Sequence, residues 1–460
     1  MGKERGRAPW VLSSDWSWAP AGPSFREFRV PHGPDTMNDG GPAPHRSTVA
    51  RFALVCLPFG AGYFLSYLYR SINAVIGQPL ASEFGLGAGD LGLLTSVYFL
   101  GFGLFQLPLG ILLDRYGPRR VQFALLIVAT VGAVIFSAAQ SFLLLTVGRA
   151  LIGIGFAGGL MASFKAITVW FPRRRWPLLN GLIMGFGGLG TMAATTPVEF
   201  ALEWATWRNV FHFLAVVTAS VSFLILVVVP PHVSEREGRA GGLTEALAGL
   251  GLIFRDRAFW RIAPVSIVAM GSGLAIQGLW AGPWLHDVAG LPPDEVARHL
   301  LVLNLALTLG MLATGFVADG FTRIGVGPVG MLGFAGAVLL VPLILLVLEV
   351  DPRGYWVWAL FGLLSNLAVM VYPSISAHFT IRYSGRAMTG LNLLLFLGAF
   401  VLQYLVGAII DLWPTRPGGG YHPEGYRSAF GLVVLLVVLT LIWLAVPRGV
   451  LRDAPTPTRL

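Results

Sequence analysis

The sequence contains few charged residues for its length. Of its 460 residues only 12% are charged, whereas 55% are hydrophobic. A soluble domain carries about 25% charged residues, so this composition excludes an ordinary soluble protein. Most of the chain is expected to lie in lipid, where each spanning helix needs roughly 20 mainly apolar residues. The 58 glycines and 30 prolines agree with this, because spanning helices tolerate both residue types.

Cysteine is almost missing, and so are the usual catalytic motifs. The single cysteine, Cys56, lies in an apolar run, which excludes an internal disulfide framework and a cysteine metal site. The sequence has no His-Glu-x-x-His, no Gly-x-Ser-x-Gly and no phosphate-binding Gly-Lys-Ser/Thr loop. We therefore expect neither an enzyme nor a cofactor. Any transport would draw its energy from gradients, because no nucleotide-binding loop is present.

Long apolar segments recur at regular intervals along the chain. Twelve of them are long enough to cross a bilayer, and the even number places both termini on one side. They lie near residues 51–79, 90–112, 120–140, 142–170, 178–199, 208–230, 260–284, 296–317, 326–348, 355–378, 387–411 and 428–447. The pattern predicts an all-α membrane protein with twelve transmembrane helices.

The longest polar interruption follows the sixth apolar segment. It spans residues 231–259 and contains apolar residues at helical spacing, which predicts a linker with an interfacial amphipathic helix. This linker separates a first half, residues 49–230, from a second half, residues 260–447. The polar segments at the two ends, 1–48 and 448–460, are predicted to be tails, the first of them disordered.

Basic residues gather on one side of the predicted membrane. Of the 32, the twelve-span topology places 24 on the side of the termini, 5 on the opposite side and 3 within spans. Because positive charge marks the cytoplasmic side, we predict an inner-membrane protein of bacterial type with both termini cytoplasmic. The first tail adds to this excess, although Met37 is an alternative start of the chain. The scattered arginines argue against nucleic-acid binding.

A short charged stretch separates the second and third apolar segments. It reads Gly110-Ile-Leu-Leu-Asp114-Arg115-Tyr-Gly117-Pro-Arg119-Arg120, and we call it the hinge. A weaker copy, Gly315-Phe-Val-Ala-Asp319-Gly-Phe-Thr-Arg323, begins 205 residues later in the second half. Internal duplication of spans is typical of secondary transporters. The two copies therefore predict two pseudo-symmetric six-helix bundles.

The hinge resembles the signature loop between the second and third helices of the major facilitator superfamily. Arg149-x-x-x-Gly153 in the fourth segment resembles a second motif of that family. The resemblance implies two bundles that rock about a central site and so give alternating access. It also implies gating roles for Gly110, Asp114, Arg115, Gly117, Arg119, Arg120, Arg149, Gly315, Asp319 and Arg323. The fifth segment lacks the Gly-Pro pair common in the family's antiporters, which argues against drug/proton antiport.

One arginine lies inside the first apolar segment. Tyr63, Tyr67 and Arg70 are spaced i, i+4 and i+7, so they share one helix face, and Asn73 lies at its edge. A charge at the centre of a spanning helix costs roughly 2.5 kcal/mol or more, which makes an intramembrane arginine the mark of a functional site. We predict that Arg70 is the charge partner of a solute. The alternative is an arginine that extends to the outer interface.

Polar residues of the second half are expected near the same level. Gln277 and Trp280 are spaced i, i+3 in the seventh segment, and Asn366 and Tyr372 lie in the tenth. Together with Arg70 they predict a polar, aromatic cavity between the halves, where transporters of this kind bind their substrates. The alternative for each of them is a hydrogen bond that joins two helices.

Acidic residues are missing from the middle of the predicted spans. The nearest, at outer helix ends, are Glu199, Glu203, Asp287 and Asp411. Because a cation or drug exporter usually needs a buried carboxylate, their positions favour an anionic or zwitterionic solute. We predict a monomeric secondary transporter for a small solute of that class, coupled to a proton or a counter-solute. The alternatives are a drug or siderophore exporter, and a membrane sensor or receptor that keeps the fold without transporting.

Overall fold

The described part of the chain is helical. A computed structural model describes residues 52–231, 243–372, 375, 379, 381–416 and 420–446. Within these ranges the chain contains no strand. The predicted tails at 1–48 and 448–460, and residues 232–242 of the predicted linker, lie outside the described residues.

The helices of the first half follow one another with short connections. A π-helical turn, Phe52–Cys56, is the first described element, and a 3₁₀ turn, Arg173–Arg175, precedes the sixth helix. The helices are α1 (Leu57–Ser71), α2 (Asn73–Phe84), α3 (Ala88–Ser137), α4 (Phe142–Phe156), α5 (Gly159–Trp170), α6 (Trp176–Ala193), α7 (Thr196–Leu202) and α8 (Trp207–Val228).

The linker and second half continue in the same way. Irregular turns at Ile276–Trp280 and Asn366–Met370 interrupt two of the helical runs. The helices are α9 (Leu243–Ile253), α10 (Arg257–Ala275), α11 (Ala281–Asp287), α12 (Pro293–Arg323), α13 (Pro328–Val347), α14 (Tyr355–Ser365), α15 (Ile381–Ile410) and α16 (Pro423–Ala445). Helix α9 lies where the amphipathic linker helix was predicted.

Ten helical segments in the described residues are long and apolar enough to cross a membrane. This agrees with the predicted all-α membrane fold, but it does not confirm the count of twelve. Helix α3, with 50 residues, is counted as one segment although Gly117 breaks it. Helix α14, with 11 residues, is too short to be counted. The number of spans and the limits of the two halves stay predictions.

Local chemistry explains where several helices begin. The side chain of Asp256 accepts hydrogen bonds from the backbone N–H groups of Ala258 and Phe259 at 2.7 and 2.9 Å, which caps α10. Thr206 accepts the N–H of Asn209 and so caps α8. These side-chain oxygens satisfy amides that have no partner within the helix.

Glycine determines both the break in α3 and its packing. Gly117 has φ +75°, a conformation that disfavours other residues, and it divides α3 within the hinge. Gly153 of α4 lies so close to α3 that a Cβ atom there would be 2.1 Å from the carbonyl oxygen of Tyr98. The two helices therefore pack backbone to backbone, as small residues permit in membranes.

Buried apolar side chains form two large clusters. One is drawn from residues 55–229, with Ala399 as its member from the second half. The other is drawn mainly from residues 269–437, with Ala74, Ala88 and Leu91 from the first half. Each half thus has its own packed interior, and α3 of the first half packs against α15 of the second.

We predict that Gly153→Ala lowers stability. The added methyl group must displace α4 from α3, and overpacking of this kind costs about 1–3 kcal/mol. The melting temperature of the purified protein in detergent measures the loss. Gly181→Ala is the matched control, since no atom lies within 4 Å of a Cβ built there. Equal melting temperatures for the two variants would contradict the packing described.

Candidate functional site

Arg70 lies in the interior, between the two halves. It is in the last turn of α1 and only 7% exposed. The Cζ atom of Arg70 is 4.5 Å from the centre of the Tyr67 ring, 5.2 Å from that of Phe102 and 5.6 Å from that of Phe396. Phe396 belongs to α15, so aromatic faces from both halves cover the guanidinium group.

The charge of Arg70 has no acidic partner within the described part of the chain. No carboxylate there forms an ion pair with it, and its buried Nε atom has no hydrogen-bond partner. Aromatic faces stabilise a cation by about 0.5–2 kcal/mol, which is less than a paired carboxylate supplies. The group thus retains hydrogen-bonding capacity for an anion.

Tyrosine hydroxyls surround this position. Tyr63 donates a hydrogen bond to the hydroxyl of Tyr67 at 3.2 Å, and the two rings meet edge to face. In the second half, Tyr372 donates to the Oδ1 atom of Asn392 at 2.9 Å. Asn366, at the start of the Asn366–Met370 turn, is half-buried. The predicted tyrosine face therefore exists as a hydrogen-bonded unit beside Arg70.

The remaining predicted cavity residues bond to the protein itself. Asn73 donates from Nδ2 to the Thr95 hydroxyl at 2.7 Å. Gln277 donates from Nε2 to the Asn304 side chain at 2.6 Å, and its Nε2 atom is 3.5 Å from the Ser71 hydroxyl of the first half. The amide N–H groups of Asn73 and Gln277 therefore donate to protein atoms in this structure and not to a solute.

Trp280 is fully buried and joins two helical segments of the second half. Its indole N–H donates to the carbonyl oxygen of Gln403 at 3.0 Å. The Ile276–Trp280 turn runs beside Arg70, because a Cβ on Gly278 would lie 3.6 Å from the Arg70 carbonyl oxygen. The turn that carries Gln277 and Trp280 thus approaches the Arg70 backbone at Gly278, across the boundary between the halves.

Arg149 supports the backbone that precedes Arg70. It is 1% exposed, and its Nη1 atom donates to the carbonyl oxygen of Tyr69 at 3.0 Å. Its Cζ atom is 4.7 Å from the centre of the Phe136 ring and 5.4 Å from that of Phe211. Arg149 therefore lies inside the first half and is bonded to the backbone next to Arg70.

The hinge makes its described contacts within the first half. The Asp114 carboxylate pairs with Lys165 of α5 at 2.8 Å, and Arg119 donates to the carbonyl oxygen of Leu226 in α8. Arg115 stacks on the ring of Tyr116 with 5.3 Å between its Cζ atom and the ring centre. The Lys165 pair was not predicted from the sequence, because spacing along the chain does not relate residues 51 positions apart. The exposed residues of the hinge include Gly110 and Arg120.

The second copy of the motif does not bend the chain. Gly315, Asp319 and Arg323 all lie in the uninterrupted helix α12 and are exposed. The turn comes later, at Gly325, whose φ is +76°. Gly325 makes the turn in the second half, but it lies outside the copied motif, whereas Gly117 lies within the hinge. The predicted gating role of the second copy stays untested.

The two halves meet at the end of the molecule opposite the hinge, which we call the Asp411 end. The carboxylate of Asp411, after α15, accepts hydrogen bonds from the N–H groups of Ala88 and Gly89 at the start of α3. The Nε2 atom of Gln78 lies 2.6 Å from the Nδ1 atom of His286.

Tyr421 lies at the same end. Burial is the main cause that raises the pKa of its phenol above the ordinary range, and the charges of Asp287 and Asp411 raise it further. This phenol therefore stays neutral.

A surface cleft lies at the same end. It has a volume of about 970 Å³, and polar and charged side chains of both halves line it. Those side chains include Gln78, Ser82, Glu199, His286 and Arg416. The sequence located Glu199 at an outer helix end but did not indicate this cleft.

Comparison with known proteins agrees with this architecture. The profile of the Major Facilitator Superfamily matches residues 59–379. A probable sulfoacetate transporter from Cupriavidus necator is 25% identical over 301 residues, 61% of this chain and 69% of that protein. A gentisate transporter from Corynebacterium glutamicum is 24% identical over 384 residues, 80% of this chain and 84% of that protein.

A solved structure also superimposes on the chain. It is a bacterial homologue of the human lysosomal transporter Spinster in an inward-facing, unoccupied conformation. The TM-score is 0.68 at 18% identity, with coverage of 87% of this chain and 97% of that one. At this level of identity the likeness concerns the fold alone.

We predict that Arg149→Lys destabilises the protein although it keeps the positive charge. An ammonium group cannot lie flat between two rings as a guanidinium does, and we expect a loss of about 1–3 kcal/mol, seen as a lower melting temperature. Arg115→Lys, at an exposed position of the hinge, is the control. A melting temperature equal to that of the unmodified protein would show that the buried contacts of Arg149 contribute nothing.

Proposed function

The chain belongs to the Major Facilitator Superfamily, and on that premise we propose that it is a secondary transporter of a small anionic or zwitterionic solute. It moves this solute across the membrane by alternating access. The observation that carries the proposal is the buried Arg70 guanidinium group, which lies between the halves with no carboxylate partner among the described residues.

The chemistry of the relatives supports the charge of the solute. Sulfoacetate carries a sulfonate and a carboxylate, and gentisate carries a carboxylate on an aromatic ring; these solutes are named for two relatives of this chain. An arginine binds such groups through two parallel N–H bonds. Tyr67, Phe102 and Phe396 form the apolar walls beside it.

The remaining predicted residues take roles that follow from their contacts. Tyr63, Tyr67 and Tyr372 supply hydroxyl groups near the guanidinium, whereas Asn73, Gln277, Trp280 and Asn366 shape the cavity. Arg149 holds the backbone behind Arg70. The hinge and its copy, from Gly110 to Arg120 and from Gly315 to Arg323, form the gate at their end of the molecule.

The energy source and orientation are part of the same proposal. With no nucleotide-binding loop in the sequence, a proton or a counter-solute moving down its gradient drives transport. The excess of basic residues on the hinge side places that side in the cytoplasm of a cell with a bacterial-type inner membrane. We take the functional unit to be a monomer.

Ligand-dependent melting tests the Arg70 assignment. A bound ligand raises the melting temperature by mass action, so a panel with sulfoacetate, gentisate and the uncharged gentisamide reports the charge that the site selects. We expect an anion to stabilise the protein. Arg70→Gln should weaken that binding by roughly 10- to 100-fold, because a charge-assisted hydrogen bond is worth about 1.5–3 kcal/mol.

The control replaces an arginine outside the cavity. Arg298 is exposed and pairs with Glu295 in the same helix at 2.8 Å, so Arg298→Gln should bind the anion as the unmodified protein does. Undiminished anion binding by Arg70→Gln would refute the charge-partner role. Stabilisation by cationic dyes but by no anion would favour the exporter instead.

Cysteine labelling tests the orientation. In a Cys56→Ala background, Tyr116→Cys marks the hinge side and Gln140→Cys marks the opposite side; both positions are exposed. A membrane-impermeant maleimide added to intact cells should label Gln140→Cys and leave Tyr116→Cys unlabelled. The reverse pattern would invert the proposed topology.

A further inference from the structure

Asp411 connects the second half to the start of a helix in the first. Its Oδ1 atom accepts the N–H of Ala88 and its Oδ2 atom accepts the N–H of Gly89, both at 2.7 Å. The helix that begins there, α3, has Gly87 at its N-cap position and therefore no capping side chain of its own. A carboxylate 322 residues away in the sequence supplies the cap.

The site is shaped to admit this carboxylate. A Cβ atom on Gly87 would lie 3.0 Å from the Oδ2 atom of Asp411, and one on Gly89 would lie 2.8 Å from it. Gly87 has φ −68°, which any residue adopts. Space for Asp411, and not backbone conformation, therefore accounts for glycine at both positions.

The hydrogen bonds of Asp411 are stronger than bonds between uncharged groups, because the acceptor is a carboxylate. A helix N-terminus carries a partial positive charge, and a carboxylate that accepts two backbone N–H groups there forms charge-assisted hydrogen bonds. The other polar contact described between the halves at this end, between Gln78 and His286 at 2.6 Å, involves uncharged Gln78. Asp411 thus provides the main electrostatic contact across this end.

The other end of this helical run, near Gly117, makes a different kind of contact. Asp114, three residues before Gly117, pairs with Lys165 of the first half. The run from Ala88 to Gly117 is therefore held to the second half at its start, whereas the carboxylate near its end has its partner within its own half.

We propose that Asp411 is a gate residue: its bond to the start of α3 holds the Asp411 end closed and breaks when that end opens. The proposal rests on the alternating access proposed above. When the halves rock, Asp411 and the N–H groups of Ala88 and Gly89 separate and each becomes hydrated. Removing the carboxylate should therefore favour the state that is open at the Asp411 end.

Distance measurements between spin labels test the gate directly. In a Cys56→Ala background, one labelled pair, at Trp204 and Leu348, spans the Asp411 end, and a second pair, at Tyr116 and Ile324, spans the hinge end. All four side chains are exposed. Distances are recorded on the full chain in detergent without added solute, so the outcome does not depend on Arg70 or on the identity of the solute.

Asp411→Ala should shift the population toward the state open at the Asp411 end. The ratio of open to closed molecules should rise roughly 3- to 30-fold, the range that loss of a helix cap produces. Distances at the Asp411 end should lengthen while those at the hinge end shorten. A cap with a purely structural role would lower the melting temperature and leave both distance distributions unchanged, which would overturn the proposal.

Two further variants keep the test valid if Asp411→Ala folds poorly. Asp411→Asn retains an acceptor oxygen without the charge and should give a smaller shift. Gly89→Ala keeps the carboxylate but displaces it and should shift the population in the same direction as Asp411→Ala. Unchanged distances in both would also overturn the proposal.

The matched controls should leave the population unchanged. Gly431→Ala adds the same methyl group where no atom lies within 4 Å. Glu203→Ala removes an exposed carboxylate at the end of α7. A shift with Glu203→Ala equal to that of Asp411→Ala would mean that net charge controls the equilibrium, and the assignment of Asp411 would be wrong. Failure of the gate with anion binding at Arg70 intact would leave the proposed function standing.

Discussion

Burial of positive charge in an apolar bundle is the constraint on which the rest of this structure depends. Arg70 and Arg149 are 7% and 1% exposed. A charge removed from water is costly unless other groups replace the lost hydration. Arg149 obtains a carbonyl oxygen of Tyr69 and two aromatic faces, all inside the first half. Arg70 obtains aromatic faces from both halves, and its Nε atom remains without a partner. The Nε and Nη2 atoms of Arg149 also lack partners, so position distinguishes the two arginines: Arg149 is enclosed by the first half, whereas Arg70 lies between the halves.

The position of Arg70 links binding to movement. Its guanidinium group touches Tyr67 on its own helix and Phe396 on α15 of the second half. Any rotation of one half against the other changes this aromatic enclosure, and with it the stabilisation of the cation. An anion bound to Arg70 neutralises the charge in every arrangement of the halves. If Arg70 is the charge partner of the solute, as proposed, the energetic difference between empty and loaded carrier arises at the residue that selects the solute.

The sequence predicted features that depend on neighbours along one helix. The helical fold, the break at the hinge and the shared face of Tyr63, Tyr67 and Arg70 all follow from spacing and composition. The Lys165 pair with Asp114 and the Asp411 contact with Ala88 join residues 51 and 323 positions apart. Spacing cannot place residues on different helices, so these were missed. The copy at Gly315 matches the hinge in residues but differs in structure, because its helix continues to Arg323 and turns at Gly325.

The helix dipole of the run from Ala88 to Gly117 makes a carboxylate electrostatically favourable at its start and unfavourable at its end. At the start the helix dipole attracts the negative charge of Asp411, whereas near the end it repels that of Asp114. Asp114 therefore requires a cation, and in this state Lys165 provides one. Because the side chains of that pair are 40% and 61% exposed, the pair contributes only about 0–1 kcal/mol and exchanges partners easily. The Asp411 contact thus crosses between the halves, whereas the described polar contacts of the hinge stay within the first half.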